Sequence, residues 1–230
     1  MKNYTKATLI MLAELCSLVF FIYMGKEVVG DRNILTPGAV FYQCLAMLSV
    51  PLISLMVFWK DAKPMFALKE KKLLLILSLL YILFFLLRRQ FDSKGLYGFV
   101  ENIVIVAFTE EFIFRGLVYT YLKRENRMAA ILISGLVWGI LHAVAPTIIA
   151  GEGLTFFLST ALNKVGFGIM IGYCFIYLYE KSGTLLVPIM VHALYDYSMG
   201  FGLLFLIAIL CYLIRRRTLD VQDEGYKVYE

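Results

Sequence analysis

The chain has 230 residues, of which 61% are hydrophobic and only 17% charged, and its mean hydropathy is +0.79. This composition is far more apolar than that of a soluble domain. Apolar runs follow one another with the charges gathered between them, which excludes a soluble core and predicts several membrane spans. The net charge of +5 comes without a basic stripe interleaved with aromatic residues, so no nucleic acid partner is expected.

The apolar runs predict an all-α fold, a polytopic integral membrane helical bundle with about eight transmembrane helices. The last two runs touch at Met199 and Gly200, so one kinked helix in their place, and seven spans, is the alternative. The first run follows Lys2 and Lys6, as in a signal peptide, but no small-residue cleavage site follows it, which favours a retained anchor. The predicted helices cover residues 7–24, 39–59, 73–87, 96–122, 128–145, 154–179, 184–198 and 199–214.

The distribution of Lys and Arg predicts the orientation of these spans, because cytoplasmic loops retain basic residues. With eight spans, fifteen basic residues fall on the side that carries both chain ends, and five fall on the opposite side. We therefore expect a multi-pass protein of the cell membrane with both termini in the cytoplasm. The excess of positive charge also favours contact with lipid headgroups.

The stretch "AFTEEFIFRG" places three charges inside an apolar run. A carboxylate at the centre of a spanning helix costs on the order of 2.5–3.5 kcal/mol, so it normally faces the bundle interior and is paired. Glu111 and Arg115 stand four residues apart, which predicts an ion pair on one helical face. Glu110 points about 100° away from Glu111 and has no such partner. A purely structural polar cluster is the alternative at this point.

Both histidines of the chain lie inside apolar spans. His142 follows Trp138 by one turn, and His192 precedes Asp196 by one turn. A lone membrane histidine is often only an interhelical hydrogen-bonding group. Helix rise, however, places Glu111, His142, His192 and Asp196 in one band roughly 12–21 Å from the predicted cytoplasmic surface. Acidic and imidazole groups at one depth predict a hydrated polar cavity suited to hydrolysis.

Three motifs carry a resemblance to a known family. "EEFIFRG" has the form Glu-Glu-x-x-x-Arg, "WGILH" resembles an aromatic-x-x-x-His element, and "HALYD" resembles His-x-x-x-Asn/Asp. In this order they resemble the CPBP family of intramembrane endopeptidases, which includes the CAAX prenyl endopeptidases and Abi-type proteins linked to bacteriocin processing and self-immunity. The similarity divides the chain into N-terminal transmembrane helices (1–95), a CPBP-like catalytic helical core (96–200), and a last helix with a cytoplasmic tail (201–230).

The resemblance implies a role for each motif residue. Glu110 and His142 would activate the attacking water, and Glu110 would return the proton to the leaving amine. His192 and Asp196 would stabilise the oxyanion, and Glu111 with Arg115 would orient the site.

This chain departs from the family pattern at two positions. Trp138 stands where the family commonly has Phe, and Asp196 stands where the prenyl endopeptidases usually have Asn. An ionised Asp196 would repel an oxyanion. Protonation of Asp196, pairing with His192 and membership of a metal site are the alternatives for this residue.

The sequence does not require a metal. Glu110, His142 and His192 are acceptable ligands for a divalent metal such as zinc, whose bound water is a ready nucleophile. There is no His-Glu-x-x-His motif, however, so we expect no tightly held cofactor. The expected partners are membrane lipids and a hydrophobic, lipidated or exported peptide substrate. A non-catalytic immunity or peptide-binding protein of the same family is the alternative function, followed by a transporter, although no internal repeat favours the latter.

The remaining predictions concern helix packing, a helix boundary and the depth of two acidic residues. Gly135 with Gly139, and Gly168 with Gly172, stand four residues apart and predict close helix approach. Pro188 predicts that the helix of His192 begins or bends nearby. Glu14 and Glu101 lie towards the ends of their runs and are predicted to be interfacial.

Overall fold

The computed structural model describes residues 2–29 and 36–227, and within these ranges it contains helices and turns but no β-strand. We label the longer helices as follows: α1 Asn3–Val29, α2 Pro37–Val57, α3 Lys71–Arg88, α4 over 93–123, α5 Arg127–Leu141, α6 Val144–Ala150, α7 Leu154–Ser182, α8 Leu186–Tyr197 and α9 Gly202–Lys227. The predicted all-helical class is confirmed. The α8 and α9 helices are separate, because Met199 and Gly200 adopt positive φ angles of 56° and 94° between them.

Four helical stretches are long and apolar enough to cross a membrane: Asn3–Glu27, Pro37–Val57, Arg127–Ala150 and Leu154–Ser182. The prediction of about eight spans is therefore not confirmed. One reason is length: the 12 residues of α8 rise only about 18 Å, less than a hydrocarbon layer of about 30 Å. Another is charge, since α4 contains Glu101, Glu110, Glu111 and Arg115.

Helix α4 lies at the centre of the molecule and is not a uniform α-helix. Two π-helical stretches, Glu101–Ala107 and Glu111–Val118, flank a short α-helical stretch, Phe108–Glu110. Every residue of Glu111–Val118 is buried. Such π-helical turns are rare and occur frequently at functional sites. Glu110 ends the short α-helical stretch, and Glu111 begins the second π-helical stretch.

Small residues let α5 and α7 approach closely. A Cβ atom added to Gly135 would lie 2.7 Å from the Cα of Ile169, and one added to Gly139 would lie 2.9 Å from the Cα of Val165. A Cβ atom on Gly168 would lie 2.7 Å from the carbonyl oxygen of Gly135. The predicted close approach is confirmed at these positions, and it fixes the end of α5, where His142 lies, against α7.

Capping and proline chemistry explain where several helices begin. Asn126 accepts a hydrogen bond from the amide of Ala129 at 2.9 Å and caps α5. Pro188 lies in the first turn of α8, where the missing amide hydrogen costs nothing, so the prediction of a helix start near this proline is confirmed.

Ion pairs collect at one end of the bundle, which we call the charged end. Its members come from the start of α1, the segment between α2 and α3, the α4–α5 junction, the end of α7 and the α9 helix: Lys6, Asp61, Glu70, Lys123, Arg124, Arg127, Glu180 and Arg216. All of them lie on the side to which the sequence assigned the larger number of basic residues.

The remaining outer surface is strongly apolar. Met56 is 81% exposed and Leu162 77% exposed, and many other large hydrophobic side chains of the long helices point outward. Contiguous exposed apolar surface of this kind is unstable in water and is satisfied by lipid.

Candidate active site

The two adjacent carboxylates of α4 lie on either side of one imidazole ring. Glu111 Oε1 lies 2.7 Å from His192 Nδ1, and Glu110 Oε2 lies 3.7 Å from His192 Nε2. Both side chains therefore reach His192: Glu110, which has no cation four residues along α4, approaches the ring at Nε2, and Glu111 approaches it at Nδ1.

Glu110 lies between both histidines of the chain. Its Oε1 atom is 3.7 Å from His142 Nε2, and its Oε2 atom accepts a hydrogen bond of 2.6 Å from the indole N–H of Trp138. The motifs predicted an aromatic residue at Trp138 but no contact of its indole with Glu110, so this hydrogen bond is a feature of the site that the sequence did not predict. The indole donor holds the Glu110 carboxylate in place.

The surroundings of His142 fix its tautomer. Helix α5 ends at Leu141, and His142 caps it with Nδ1 2.9 Å from the carbonyl oxygen of Trp138. A carbonyl oxygen can only accept, so Nδ1 carries the hydrogen and the neutral ring leaves the Nε2 lone pair facing Glu110. A water molecule or a metal ion between these groups would meet a carboxylate and a free imidazole nitrogen.

His192 is fixed from several sides. The residue is only 4% exposed, and its ring stacks on Phe175 at 4.9 Å between centroids. Glu111 accepts from Nδ1, while Nε2 lies 3.3 Å from Asp196 Oδ2 and close to Glu110. Because both nitrogens face carboxylate oxygens, the ring can donate on both sides. Of the alternatives for Asp196, this geometry favours pairing with His192.

Arg115 contacts Glu111 and two aromatic rings of the site. Its Nη1 atom lies 3.4 Å from Glu111 Oε1, which is the ion pair predicted from the spacing of these two residues. Its guanidinium lies over the ring of Trp138 at 4.5 Å and that of Phe175 at 5.5 Å. Arg115 is 1% exposed, and a chain of buried contacts connects it through Glu111 to His192.

A cavity of about 670 Å³ reaches Glu110. Its lining extends from the segment between α3 and α4 to Glu110, and its walls come mainly from α1, α2, α4 and α6. One wall is polar: the Tyr97 hydroxyl donates to Gln43 at 3.0 Å, and Gln43 donates to Glu101. Glu101 was predicted to be interfacial, whereas it is partly buried and lines this cavity.

The ligand set of a metal site is not preformed. Among the described residues, no three His, Cys, Asp or Glu side chains are arranged to hold a metal ion. His142 Nε2 and His192 Nε2 each lie 3.7 Å from a different oxygen of Glu110, and Nε2 of His192 also faces Asp196. As arranged, the candidates Glu110, His142 and His192 do not form such a centre, so no reaction step is derived through a metal.

Comparison with known proteins gives a family match for the part of the chain that holds the site. Residues 92–198 match the family model described as type II CAAX prenyl endopeptidase, Rce1-like. No curated protein and no solved structure gave a match. The resemblance to the CPBP family predicted from the three motifs is confirmed over this segment, which contains all six candidate site residues. Together with the apolar helices, the match indicates a membrane protein.

Proposed function

From the match of residues 92–198 to the Rce1-like CAAX endopeptidase family, we propose that this protein is an intramembrane endopeptidase that hydrolyses a peptide bond with a water molecule activated by Glu110 and His142. One observation carries the proposal. The Glu110 carboxylate lies 3.7 Å from the Nε2 atom of each histidine, at a cavity that crosses part of the bundle. A water molecule held there could be deprotonated at the place where a peptide would bind.

The chemistry needs one proton acceptor and one group that stabilises the oxyanion. The water oxygen attacks the carbonyl carbon while Glu110 takes its proton, and Glu110 returns that proton to the leaving nitrogen when the C–N bond breaks. His142 holds the water through its Nε2 lone pair. The indole N–H of Trp138 keeps the Glu110 carboxylate oriented towards the water throughout.

We assign the stabilisation of the oxyanion to His192. Its Nδ1–H is anchored on Glu111, which leaves the Nε2 side to face the oxygen that becomes negative as the carbonyl is attacked. Asp196 would then hold His192 rather than contact the oxyanion itself. Arg115 keeps Glu111 in place, as the contact of 3.4 Å indicates.

The substrate we propose is a hydrophobic, lipidated or exported peptide. A cavity of about 670 Å³ accommodates several residues of an extended peptide, and the Tyr97–Gln43–Glu101 wall offers polar partners for its backbone. We also propose a multi-pass arrangement with the charged end in the cytoplasm, since the basic residues there follow the positive-inside rule.

A second candidate function is peptide binding without cleavage, as in an immunity protein of the same family. One observation favours it: Asp196 Oδ2, at 3.3 Å, competes for the His192 nitrogen that an oxyanion would need. An Asp196→Asn variant separates the roles, because full activity in that variant would exclude an essential carboxylate at this position.

The deciding experiment is processing of candidate peptides in membranes that carry wild type, Glu110→Ala or His142→Ala. Glu125→Ala is the matched control, since Glu125 lies just beyond the end of α4 and its exposed side chain accepts a hydrogen bond from Asn3. We expect cleavage by wild type and by the control, and none by the other two variants. Undiminished processing by Glu110→Ala and His142→Ala would end the catalytic assignment, and binding without cleavage by wild type would support the second candidate.

A further inference from the structure

Glu14 and Arg88 are charged side chains that precede the family segment and have no role in the proposed reaction. Glu14 of α1 was predicted to be interfacial but is only 2% exposed, so that prediction is wrong, and it does not line the cavity that reaches Glu110. Arg88, the last residue of α3, is half-buried and does line that cavity. It lies outside residues 92–198, so the family match gives it no function.

The end of α8 holds Arg88 in a fixed orientation. The Arg88 Nε–H donates to the carbonyl oxygen of Tyr197 at 3.1 Å, and its Cζ atom lies 4.1 Å from the centroid of the Tyr197 ring. The Tyr197 ring packs in turn on the ring of Tyr81, at 5.1 Å between centroids. Tyr81 is buried, and its hydroxyl donates to the carbonyl oxygen of Phe99 at 2.7 Å. The guanidinium is therefore positioned before any ligand binds.

Capping of α8 explains only part of this arrangement. Tyr197 is the last residue of α8, where carbonyl oxygens lack helical partners and a cation is favourable. One N–H group satisfies that role, whereas a guanidinium carries five. Among the described residues, the Nη1 and Nη2 groups of Arg88 have no hydrogen-bond or carboxylate partner. Such a planar pair of donors matches the two oxygens of a carboxylate.

The position of Arg88 relates it to the bond to be cleaved. Arg88, Tyr197 and Glu110 line one cavity. Tyr197 directly follows Asp196, whose Oδ2 atom lies 3.3 Å from His192 Nε2. The five residues from His192 to Tyr197 rise about 7.5 Å along α8. An extended peptide advances about 3.3 Å per residue, so a peptide held at His192 reaches Arg88 within a few residues.

The other charged residues of the cavity lining do not offer an equivalent group. Asp92 accepts a hydrogen bond of 2.9 Å from a backbone amide and caps α4, and Glu101 accepts from Gln43. Lys94 is the other cation of the lining, but its side chain is exposed and its ammonium is a point charge rather than a planar fork. Arg88 is therefore the cation best suited to select an anionic group of a bound peptide.

Resting on the proposed protease function, we propose that Arg88 is a specificity-determining residue, whose free Nη groups bind a carboxylate of the peptide substrate a few residues from the cleaved bond. That carboxylate belongs either to an acidic side chain or to the chain end, since both present the same pair of oxygens to a guanidinium. Helix α3 then contributes to the choice of substrate, while the family segment supplies the catalytic groups.

Matched peptides that differ in a single charge test this proposal. A candidate hydrophobic peptide is made with a free or an amidated C-terminus, and with Asp or Asn at successive positions. The kcat/KM value of each peptide is measured in phosphatidylcholine bilayers, whose headgroups carry no net charge. We expect wild type to prefer the carboxylate member of one pair by about 10–100-fold, the factor typical of a hydrogen bond to a charged group. The pair that shows the preference identifies the source of the carboxylate.

Variants of Arg88 test whether this side chain makes the choice. Arg88→Gln should abolish the preference, and Arg88→Lys, which keeps the charge but not the paired donors, should retain only part of it. Arg89→Gln is the matched control and should keep the full preference, because Arg89 is the next residue but is exposed and does not line the cavity. Equal cleavage of both members of every pair by wild type, or an undiminished preference in either Arg88 variant, would overturn the proposal.

A binding measurement distinguishes this proposal from the protease function. The Kd values of the same peptides, labelled with a fluorophore, are measured for the full chain carrying Glu110→Gln, so that cleavage does not interfere. We expect the carboxylate member of the preferred pair to bind about 10–100-fold more tightly, and an added Arg88→Gln substitution to remove the difference. A preference in Kd without cleavage by wild type would contradict only the protease function, whereas cleavage by wild type with equal Kd values in every pair would contradict only the role of Arg88.

Discussion

The charges at the centre of the bundle and those at its charged end are paired in similar ways but surrounded very differently. The side chains of Glu111 and Arg115 are 0% and 1% exposed, while those of Lys123 and Arg127 are 45% and 44% exposed. Water replaces a lost partner at the charged end, but nothing replaces it at the centre. We therefore expect the buried charges at the centre to serve catalysis and the exposed charges at the charged end to stabilise only the ends of helices.

The largest expected effect is on catalysis at the centre. A Glu110→Gln substitution keeps the shape of the side chain but removes the proton acceptor, so turnover should fall by about 10²–10⁴-fold. Glu180→Gln at the charged end is the matched change, and turnover in that variant should equal that of wild type. Equal losses in both variants would mean that the central carboxylate has no special role.

The next largest effect is on stability. An Arg115→Met substitution fills similar space but leaves Glu111 without its cation, and breaking a buried pair in this way costs about 3–5 kcal/mol. Thermal unfolding in detergent micelles measures the loss. An Arg115→Met, Glu111→Gln double variant should recover much of the lost stability, because no bare carboxylate remains. If the single variant unfolds at the wild-type temperature, the pair at the centre behaves like one in water.

A smaller effect is expected at Trp138. A Trp138→Phe substitution retains an aromatic ring near Arg115 and His142 but removes the N–H that bonds to Glu110 at 2.6 Å. Hydrogen bonds to charged groups contribute about 1.5–3 kcal/mol, so turnover should fall by about 10–100-fold. The KM value and the unfolding temperature serve as controls and should change little. Wild-type turnover would show that the indole does not orient Glu110.

The smallest effect belongs to the charged end. The Tyr121 hydroxyl, helped by Lys6 and Arg124, lowers the pKa of Asp61 below its ordinary value. Since this pKa is depressed in the folded state, the stabilisation is present above the unfolded pKa of about 3.9 and is lost as the pH falls through the folded value. Asp61→Asn should therefore lower stability at neutral pH by less than about 1 kcal/mol, and less still at high salt.

The pH dependence gives a check on that prediction. Thermal unfolding of wild type and Asp61→Asn should differ at pH 7, and the difference should shrink as the pH falls below about 3.9 and vanish once the pH lies below the depressed folded pKa, where the wild-type carboxyl is protonated in both states. A difference that persists in acid would indicate that Asp61 acts through packing rather than charge.

Much of the fold could be predicted from local sequence. Apolar runs gave the positions of the long helices, and the small residues at Gly135, Gly139 and Gly168 gave the close approach of α5 and α7. Hydropathy alone could not give the number of spans, because a central helix such as α4 is sheltered by its neighbours and tolerates charges that a lipid-exposed span would not.

The site could be predicted in part. The four-residue spacing predicted the contacts of Glu111 with Arg115 and of His192 with Asp196, since it depends only on helical geometry. The contacts of Trp138 with Glu110 and of Glu111 with His192 join separate helices, so residue spacing within one helix does not predict them. Glu14 was misplaced because burial depends on neighbours such as α2 and α6 that a single run does not reveal.

The central claim is that Glu110 and His142 act on the same water molecule, and a double-mutant cycle tests it most directly. Peptide hydrolysis is measured for wild type, Glu110→Gln, His142→Ala and the double variant in lipid bilayers. Groups that act as a unit are strongly non-additive, so we predict that the double variant is about as slow as the slower single variant. Losses that multiply across the two positions would contradict a shared site.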